Sequence, residues 1–246
     1  MMRRIWIHET NLRVEPGTMW VKICGNTSLE DAALAAALGA DAVGFVFAAG
    51  RRQVTAAQVA AITPHLPAGV ERVGVFDSRD AEVILGVAAE AGLTTVQLHG
   101  GLDEGLAERL AARLAGRVRI VQTLHWVVRD AGPAEQLAEE MGRVGALAAR
   151  TGAIDRVLVD SKVGAAGGGT GVAFDWEAAR AVFRAGPPGV RLIVAGGLNP
   201  DNVAEAIAQL RPWGVDVASG VEASPGRKDP ALVARFIENA RGAETL

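Results

Sequence analysis

From residue 20 onward, short apolar runs alternate with alanine-rich segments, and the alternation repeats eight times along the chain. The runs predicted to be strands are Trp20–Cys24, Asp41–Phe47, Val70–Phe76, Thr94–His99, Arg117–Leu124, Asp155–Asp160, Val190–Ala195 and Val215–Ser219. Several of these runs are continuously apolar, which is typical of parallel strands that are covered by helices. Eight strand-then-helix units of roughly 25 residues predict an α/β fold, the closed (β/α)8 TIM barrel.

The segments between the strands have helical periodicity. The predicted helices include Leu29–Leu38, Ala81–Ala91, Leu106–Leu114, Ala134–Arg150, Trp176–Ala185 and Val203–Leu210. Asn199-Pro200 and Asp229-Pro230 each place an N-cap residue before a proline, so two helices are predicted to start there. The segment Ala134–Arg150 is longer than its neighbours, which indicates an elongated, solvent-exposed helix or, as the alternative, an oligomer contact.

A Rossmann sheet would carry a G-x-G-x-x-G turn after its first strand, but Cys24-Gly25-Asn26-Thr27 stands at that position. Because no linker rich in proline, serine or charge divides the chain, we predict one barrel domain over residues 19–246. Residues 1–18 are predicted to be an N-terminal extension, and Met19 is a candidate start. The apolar stretch near Ile5 is too short for a signal peptide, and no apolar run approaches the ~20 residues of a transmembrane helix.

The charge pattern and the single cysteine narrow the possible partners. A net charge of −3 without a basic cluster argues against nucleic acid and anionic membranes as partners. One cysteine excludes an intrachain disulfide and fits a reducing compartment, so a cytoplasmic protein is expected. The four histidines lack metal-ligand spacing and no carboxylate cluster is present, so neither a metal nor a cofactor is expected.

Two candidate catalytic residues end predicted strands, where a TIM barrel places its chemistry. Cys24 ends the first strand and Asp160 ends the sixth, and together they suggest a base and an acid on either side of a small substrate. Each alone has a structural explanation: a small buried hydrophobe for Cys24, and a cap or a salt bridge to Lys162 for Asp160. Thr27–Glu30 has capping-box spacing, which would place helix amides near the thiol and favour the thiolate.

Glycine-rich loops suggest an anion site. Gly196 and Gly197 follow the seventh strand, and Ser219 and Gly220 follow the eighth, the pair of loops that binds phosphate in many barrels. The loop of residues 164–171, with Gly168 and Gly169, suggests a mobile lid or a backbone that approaches an anion closely.

Three further residues lie near the same rim. Arg51 and Arg52 follow the second strand, where a fork-shaped cation would suit a substrate carboxylate, although a loop arginine is often simply solvated. His99 ends the fourth strand and is equally consistent with a substrate contact or a structural hydrogen bond.

Sequence blocks in order along the chain from residue 20 resemble the phosphoribosylanthranilate isomerase family. They comprise Lys22-Ile23-Cys24-Gly25, residues 39–47, Val73-Gly74-Val75-Phe76, Gln97-Leu98-His99-Gly100, residues 168–171 with residues 174–176, residues 196–200, residues 215–222 and residues 225–229. The resemblance implies a TIM barrel that performs a cofactor-free Amadori rearrangement of an aminoaldose phosphate in tryptophan biosynthesis. It further implies a small phosphosugar substrate and a monomer or a homodimer.

The same resemblance implies roles for individual residues. Cys24 would be the general base that removes the C2′ proton, and Asp160 the general acid that protonates the furanose oxygen. Arg52 would contact the anthranilate carboxylate, with Arg51 as the alternative. The phosphate would be held by the backbones of Gly196, Gly197, Ser219 and Gly220, and His99, Gly168 and Gly169 are possible further substrate contacts.

Two other functions stay open from the sequence. A related isomerase of histidine biosynthesis would carry an aspartate at the position of Cys24. A non-catalytic phosphosugar-binding paralogue is suggested by departures around the fifth strand, where Gln122 replaces a lysine common in the family and the segment 125–154 is enlarged. The presence of both Cys24 and Asp160 argues against that alternative.

Overall fold

A computed structural model describes residues 18–127, 133–162 and 176–243. Within these residues, eight parallel strands close into a barrel in chain order. The strands are β1 Trp20–Ile23, β2 Ala42–Val46, β3 Glu71–Phe76, β4 Thr95–Leu98, β5 Arg119–Val127, β6 Ile154–Lys162, β7 Arg191–Ala195 and β8 Gly214–Val217. The predicted single-domain TIM barrel is confirmed, and all eight predicted strands are present to within three residues at each end.

Helices alternate with the strands around the outside of the barrel. They are α1 Leu29–Ala37, α2 Ala56–Ala60, α3 Ala81–Glu90, α4 Glu104–Leu114, α5 Pro133–Thr151, α6 Trp176–Arg184, α7 Val203–Leu210 and α8 Pro230–Gly242. After β8 the chain adds a small antiparallel pair, β9 Glu222–Ser224 and β10 Arg227–Lys228. None of the helices in the described ranges combines the length and the apolar character needed to cross a bilayer.

The long helix predicted over Ala134–Arg150 is confirmed as α5. Four of its apolar residues, Leu137, Met141, Val144 and Leu147, recur at helical spacing and are buried. One face of α5 therefore packs into the core, while the residues between them are largely exposed.

The helix starts show where local signals succeeded and where they failed. Asp229 caps α8 as predicted, because its Oδ1 accepts hydrogen bonds from the backbone N–H groups of Ala231 and Leu232 at 2.8 and 3.1 Å. The start predicted at Asn199-Pro200 is wrong, since α7 begins at Val203. Asn199 instead closes a polar turn: its N–H donates to the side chain of Asn202 at 2.8 Å.

The capping box predicted at Thr27 is wrong by one residue. Ser28 is the N-cap of α1, and its hydroxyl accepts from the N–H of Asp31 at 3.2 Å. The hydroxyl of Thr27 donates to the carbonyl of Gly226 at 2.8 Å, which ties the loop after β1 to the β9–β10 pair.

Apolar side chains fill two separate spaces. The larger cluster lies between the helices and the outer face of the barrel, and a smaller cluster fills the barrel interior with Trp20, Ala42, Val73, Val121, Leu158, Ile193 and Ala195. Because side chains alternate between the two faces of a strand, every second residue points inward. The side chains of the smaller cluster therefore pack against one another inside the barrel.

Candidate active site

A cavity of about 560 Å³ opens at the C-terminal mouth of the barrel, where the strands end and the following loops begin. Its walls bring together most of the side chains and loops that the sequence predicts for the site: Cys24, Arg52, His99, Asp160, Gly196, Gly197 and Ser219. These residues come from six different strands or from the loops that follow them. The cavity is thus a single space in which they could act on one small molecule.

Cys24 directly follows β1 and extends its pairing with β8, because its N–H donates to the carbonyl of Val217 at 2.8 Å. Gly25, with φ +75°, then turns the chain away from the barrel axis. The buried amide of Asn26 holds this turn by donating to the carbonyls of Ile23 and Gly44 at 2.8 and 3.2 Å. The thiol is therefore carried on a rigid backbone, and Cys24 is 7% exposed at the cavity wall.

Lys22 lies two residues before Cys24 on the same inward face of β1. Its ammonium group forms a buried ion pair with Asp216 of β8, with 2.9 Å between Nζ and Oδ1. Burial acts to lower the pKa of Lys22, but the charge of Asp216 and the neighbouring Cys24 raise that pKa to about 12. Lys22 therefore stays positively charged throughout the physiological pH range.

Opposing influences act on the Cys24 thiol. Burial is the largest and raises its pKa, while the Lys22 charge lowers it, Asp216 raises it and Lys228 lowers it. The net result is a pKa above the ordinary value of a cysteine. Formation of the thiolate consequently depends on the positive charges placed around it.

Arg52, from the loop after β2, is held by Glu222 in a two-point ion pair. Its Nε and Nη2 atoms each donate to one carboxylate oxygen at 2.7 Å. A methyl group on Gly25 would lie 2.6 Å from the Cδ of Arg52, so glycine is needed there for the close approach. Arg51 is exposed and does not line the cavity, whereas Arg52 does.

Lys228 connects Glu222 to the backbone of Cys24. Its Nζ donates to Glu222 at 3.1 Å, to the carbonyl of Cys24 at 2.6 Å and to that of Ala218 at 3.0 Å, and the residue is 4% exposed. Burial acts to raise the pKa of Glu222, but Arg52 and Lys228 outweigh burial and hold that pKa below its ordinary value. The β9–β10 pair thus positions Arg52 and braces the loop that carries the thiol.

Asp160 lies on β6, three strands from β1 around the closed barrel. The prediction that it ends this strand is wrong, because β5 and β6 stay paired to Val127 and Lys162, beyond the level of the neighbouring strands. One oxygen of Asp160 lies 3.8 Å from the Nε2 of His99. Asp160 therefore faces the cavity within the barrel wall, beside an imidazole.

His125 of β5 lies beside His99 and Asp160, although the sequence did not predict it to be a residue of the site. Its Nε2 lies 2.9 Å from the carbonyl of His99, and the two rings meet edge to face at 4.8 Å. Ligand atoms of His99, His125 and Asp160 all lie within 4.8 Å of one another. Since two ligands of a tetrahedral zinc ion lie about 3.3 Å apart, this group would have to contract to hold one.

The two glycine loops meet beside the cavity. Gly196 and Gly197 adopt φ +86° and +67°, left-handed values that favour glycine, and both line the cavity together with Ser219. Gly220 does not line it: a methyl group there would lie 2.0 Å from the carbonyl oxygen of Leu198, so this glycine permits the two loops to touch. The predicted contacts Gly168 and Gly169 lie outside the described residues.

Four charged residues of the site were not assigned roles from the sequence: Lys22, Asp216, Glu222 and Lys228. A signal for the first two was present, since each is a charged residue inside an apolar strand, like Asp160. No local signal pointed to the other two, because the contacts that connect them to the site, Glu222 with Arg52 and Lys228 with Cys24, join residues 170 and 204 positions apart.

Comparison with known proteins identifies close relatives. The family model described as N-(5′-phosphoribosyl)anthranilate (PRA) isomerase matches residues 21–239. The enzyme of that name from Rubrobacter xylanophilus is 41% identical over 90% of this chain and 98% of its own length. The enzyme of the same name from Deinococcus radiodurans is 42% identical over 90% of this chain and 96% of its own.

Solved structures agree with these matches. Phosphoribosyl anthranilate isomerase from Thermotoga maritima superimposes with a TM-score of 0.77 at 36% identity, covering 91% of this chain and 99% of its own. A second structure, phosphoribosyl anthranilate isomerase in complex with reduced 1-(o-carboxyphenylamino)-1-deoxyribulose 5-phosphate, superimposes with a TM-score of 0.73 at 35% identity and covers the same shares.

Proposed function

Because the chain belongs to the N-(5′-phosphoribosyl)anthranilate isomerase family, it is an aldose–ketose isomerase of tryptophan biosynthesis, and we propose that Asp160 and Cys24 are its acid and base. The observation that carries this assignment is their placement across one cavity, with Arg52 and the two glycine loops at its rim. The reaction opens a sugar ring and moves a proton between carbons, so it needs one group of each kind.

Asp160 acts first. Its carboxylic acid protonates the furanose oxygen, the bond from that oxygen to C1′ breaks, and the electron pair of the anthranilate nitrogen forms the C1′ iminium. The neighbouring His99, 3.8 Å from the carboxyl oxygen, helps to orient the Asp160 side chain toward the cavity. The carboxylate that remains after the transfer stays in the barrel wall.

Cys24 acts second. Its thiolate removes the proton from C2′, and the electrons of that C–H bond form the C1′–C2′ double bond while the iminium is neutralised. The resulting enol tautomerises to the aminoketose. Cys24 follows β1 and Asp160 lies on β6, three strands away around the barrel, and both residues line the same cavity. The two proton transfers therefore occur on different sides of the same substrate.

Binding groups hold the two ends of the substrate. Arg52 is presented at the rim by Glu222 and receives the anthranilate carboxylate. The backbones of Gly196, Gly197 and Ser219 receive the phosphate, and Gly220 supports them by allowing the two loops to pack together. Contacts far from the reacting carbons supply the orientation that the proton transfers need.

Steady-state turnover of N-(5′-phosphoribosyl)anthranilate by Cys24→Ala and Asp160→Asn tests these roles. Loss of an acid or a base is expected to lower kcat by at least ~10²-fold. Glu82→Gln, on the exposed surface of α3, is the matched control and should keep the wild-type rate. If either site variant retained activity within a few-fold of wild type while folded, its assigned role would be wrong.

The oligomeric state and the cellular compartment of the enzyme remain predictions from the sequence. A Thermotoga maritima relative is described as dimeric, so we propose a monomer or a homodimer, to be measured by light scattering on a sizing column. We also propose that the enzyme works in the cytoplasm, since its single cysteine must stay reduced to act as a base.

A further inference from the structure

Gly44 occupies the inward face of β2 directly beside the thiol. A methyl group on this residue would lie 2.7 Å from the Sγ of Cys24 and 3.0 Å from the Cε of Lys22. The thiol and the lysine stem therefore pack next to each other over a Cα that bears no side chain. Any larger residue at position 44 would force one of the two away.

Burial and an ion pair hold the Lys22 side chain in a fixed position. It is 1% exposed, and its ion pair with Asp216 joins β1 to the adjacent strand β8. A lysine at a protein surface moves freely, whereas this ammonium group has a fixed position below the thiol. Its positive charge lowers the pKa of the Cys24 thiol, against the raising effect of burial.

We propose that Lys22 is a positioning residue for the catalytic base: its fixed ammonium group stabilises the Cys24 thiolate, and Gly44 provides the space that lets the two side chains meet. This inference rests on the proposed role of Cys24 as the base. Burial opposes ionisation of the thiol, and a nearby fixed positive charge is the physical means of opposing that effect.

The other charged groups around the sulfur act less directly. Asp216 from β8 opposes the thiolate, whereas Lys228 from β10 and Arg52 from the loop after β2 favour it. Lys228 and Arg52 both share their charge with Glu222. Gly44, from β2, contributes no charge. Lys22 is thus the charged neighbour with the greatest effect on the thiol, ahead of Asp216.

The rate of alkylation by iodoacetamide, measured against pH without substrate, tests this inference. Cys24 is the single cysteine of the chain, so the midpoint of the profile reports the pKa of this thiol alone. The informative pair is Lys22→Met and Asp216→Asn. Both variants break the same ion pair, but they remove charges of opposite sign.

The expected shifts go in opposite directions. Lys22→Met should raise the midpoint by about one pH unit or more, because a stabilising cation is lost, and Asp216→Asn should lower it. The pH profile of kcat/KM for Lys22→Met should move upward by the same amount, and Lys22→Arg should restore the midpoint in part. Arg51→Met, which removes an exposed charge from the same side of the barrel, should leave it unchanged.

If the ion pair had only a structural role, both variants would shift the alkylation midpoint in the same direction. That result, or an unchanged midpoint in Lys22→Met, would overturn the inference. If Lys22→Met fails to fold, Lys22→Met/Asp216→Asn leaves no unpaired buried charge and should still alkylate with a raised midpoint. Failure of the base assignment itself would appear separately, as activity retained by Cys24→Ala.

Discussion

The two ends of the barrel both bury charged side chains, with different surroundings. At the N-terminal end, Arg156 of β6 is fully buried and its Nη1 donates to both oxygens of Glu71 at 3.1 and 3.0 Å. The hydroxyl of Thr95 donates to the same carboxylate at 2.8 Å. The guanidinium carbon lies 5.3 and 5.4 Å from the ring centres of Trp20 and Trp213, in cation–π range.

At the C-terminal mouth, by contrast, the buried charges border open space. Lys22 and Asp216 are paired as closely as Arg156 and Glu71, but Asp216 lines a cavity together with the thiol and Arg52. A buried ion pair is therefore not in itself a mark of catalysis. What separates the two ends is whether a small molecule can reach the charged group or the atoms it influences.

The largest effect is expected from breaking the hydrogen-bonded ion pair of Arg156 and Glu71 at the N-terminal end of the barrel. Arg156→Met leaves Glu71 buried without its main partner and should lower the free energy of unfolding by about 3–5 kcal/mol. The rate of the remaining folded enzyme should stay within a few-fold of wild type, because the substitution lies at the opposite end from the cavity. Urea unfolding and turnover on the same samples give both values.

Its control is Arg113→Met, which breaks an exposed pair with Glu82 at 2.7 Å and should change stability by less than about 1 kcal/mol. Equal stability loss in both variants, or a large rate loss in stable Arg156→Met, would contradict the division between the two ends.

The next effect concerns the mouth. Gly44→Ala adds a methyl group that would lie 2.7 Å from the sulfur of Cys24, so the thiol must move. Because displacements near 1 Å cost about 10²-fold in rate, kcat should fall by roughly that factor with the fold retained. Gly142→Ala in α5, where nothing lies within 4 Å of the added methyl group, is the matched control. Wild-type turnover by Gly44→Ala would show that the thiol does not need its present position.

Arg52→Ala should act on substrate binding. A charged hydrogen-bond pair is worth about 1.5–3 kcal/mol, so KM should rise by about 10- to 10²-fold. Glu222→Gln, which loosens Arg52 without removing it, should raise KM by less. Arg51→Ala should change KM by no more than about twofold, as for other surface substitutions. A greater effect at Arg51 than at Arg52 would transfer the carboxylate contact to Arg51.

The last prediction is a pH dependence of the unaltered enzyme. Burial holds the pKa of Cys24 above its ordinary value, and the thiolate is the active form of the base. Below that pKa, kcat/KM should therefore rise with pH by about tenfold per unit. Arg156→Met should follow the same profile, since its network does not face the thiol. A kcat/KM that stays flat or falls from about pH 7 to 9 would exclude the thiolate as the base.

Much of the fold was predictable because its signals are local. Continuous apolar runs and helical periodicity are properties of neighbouring residues, and eight repeats of that pattern leave few alternatives to a closed barrel. Where two local signals resembled each other, the outcome differed: Asp229-Pro230 starts a helix, whereas Asn199-Pro200 forms a turn. In the second case the N–H of Asn199 donates to the side chain of Asn202, the side chain of Asn199 accepts from the N–H of Asp201, and the helix begins only at Val203.

The candidate site likewise has features that the sequence predicts and contacts that it does not. The sequence by itself determined that Cys24 and the glycine loops belong to strand ends and that Asp160 belongs to the sixth strand, because strands and their ends are local features. Only the tertiary structure decided which charges meet them: Lys22 and Asp216 are 194 residues apart along the chain, and Arg52 and Glu222 are 170 apart. Barrel closure brings β1 beside β8, and electrostatic and steric effects act through space at distances of a few ångströms, which sequence separation does not report.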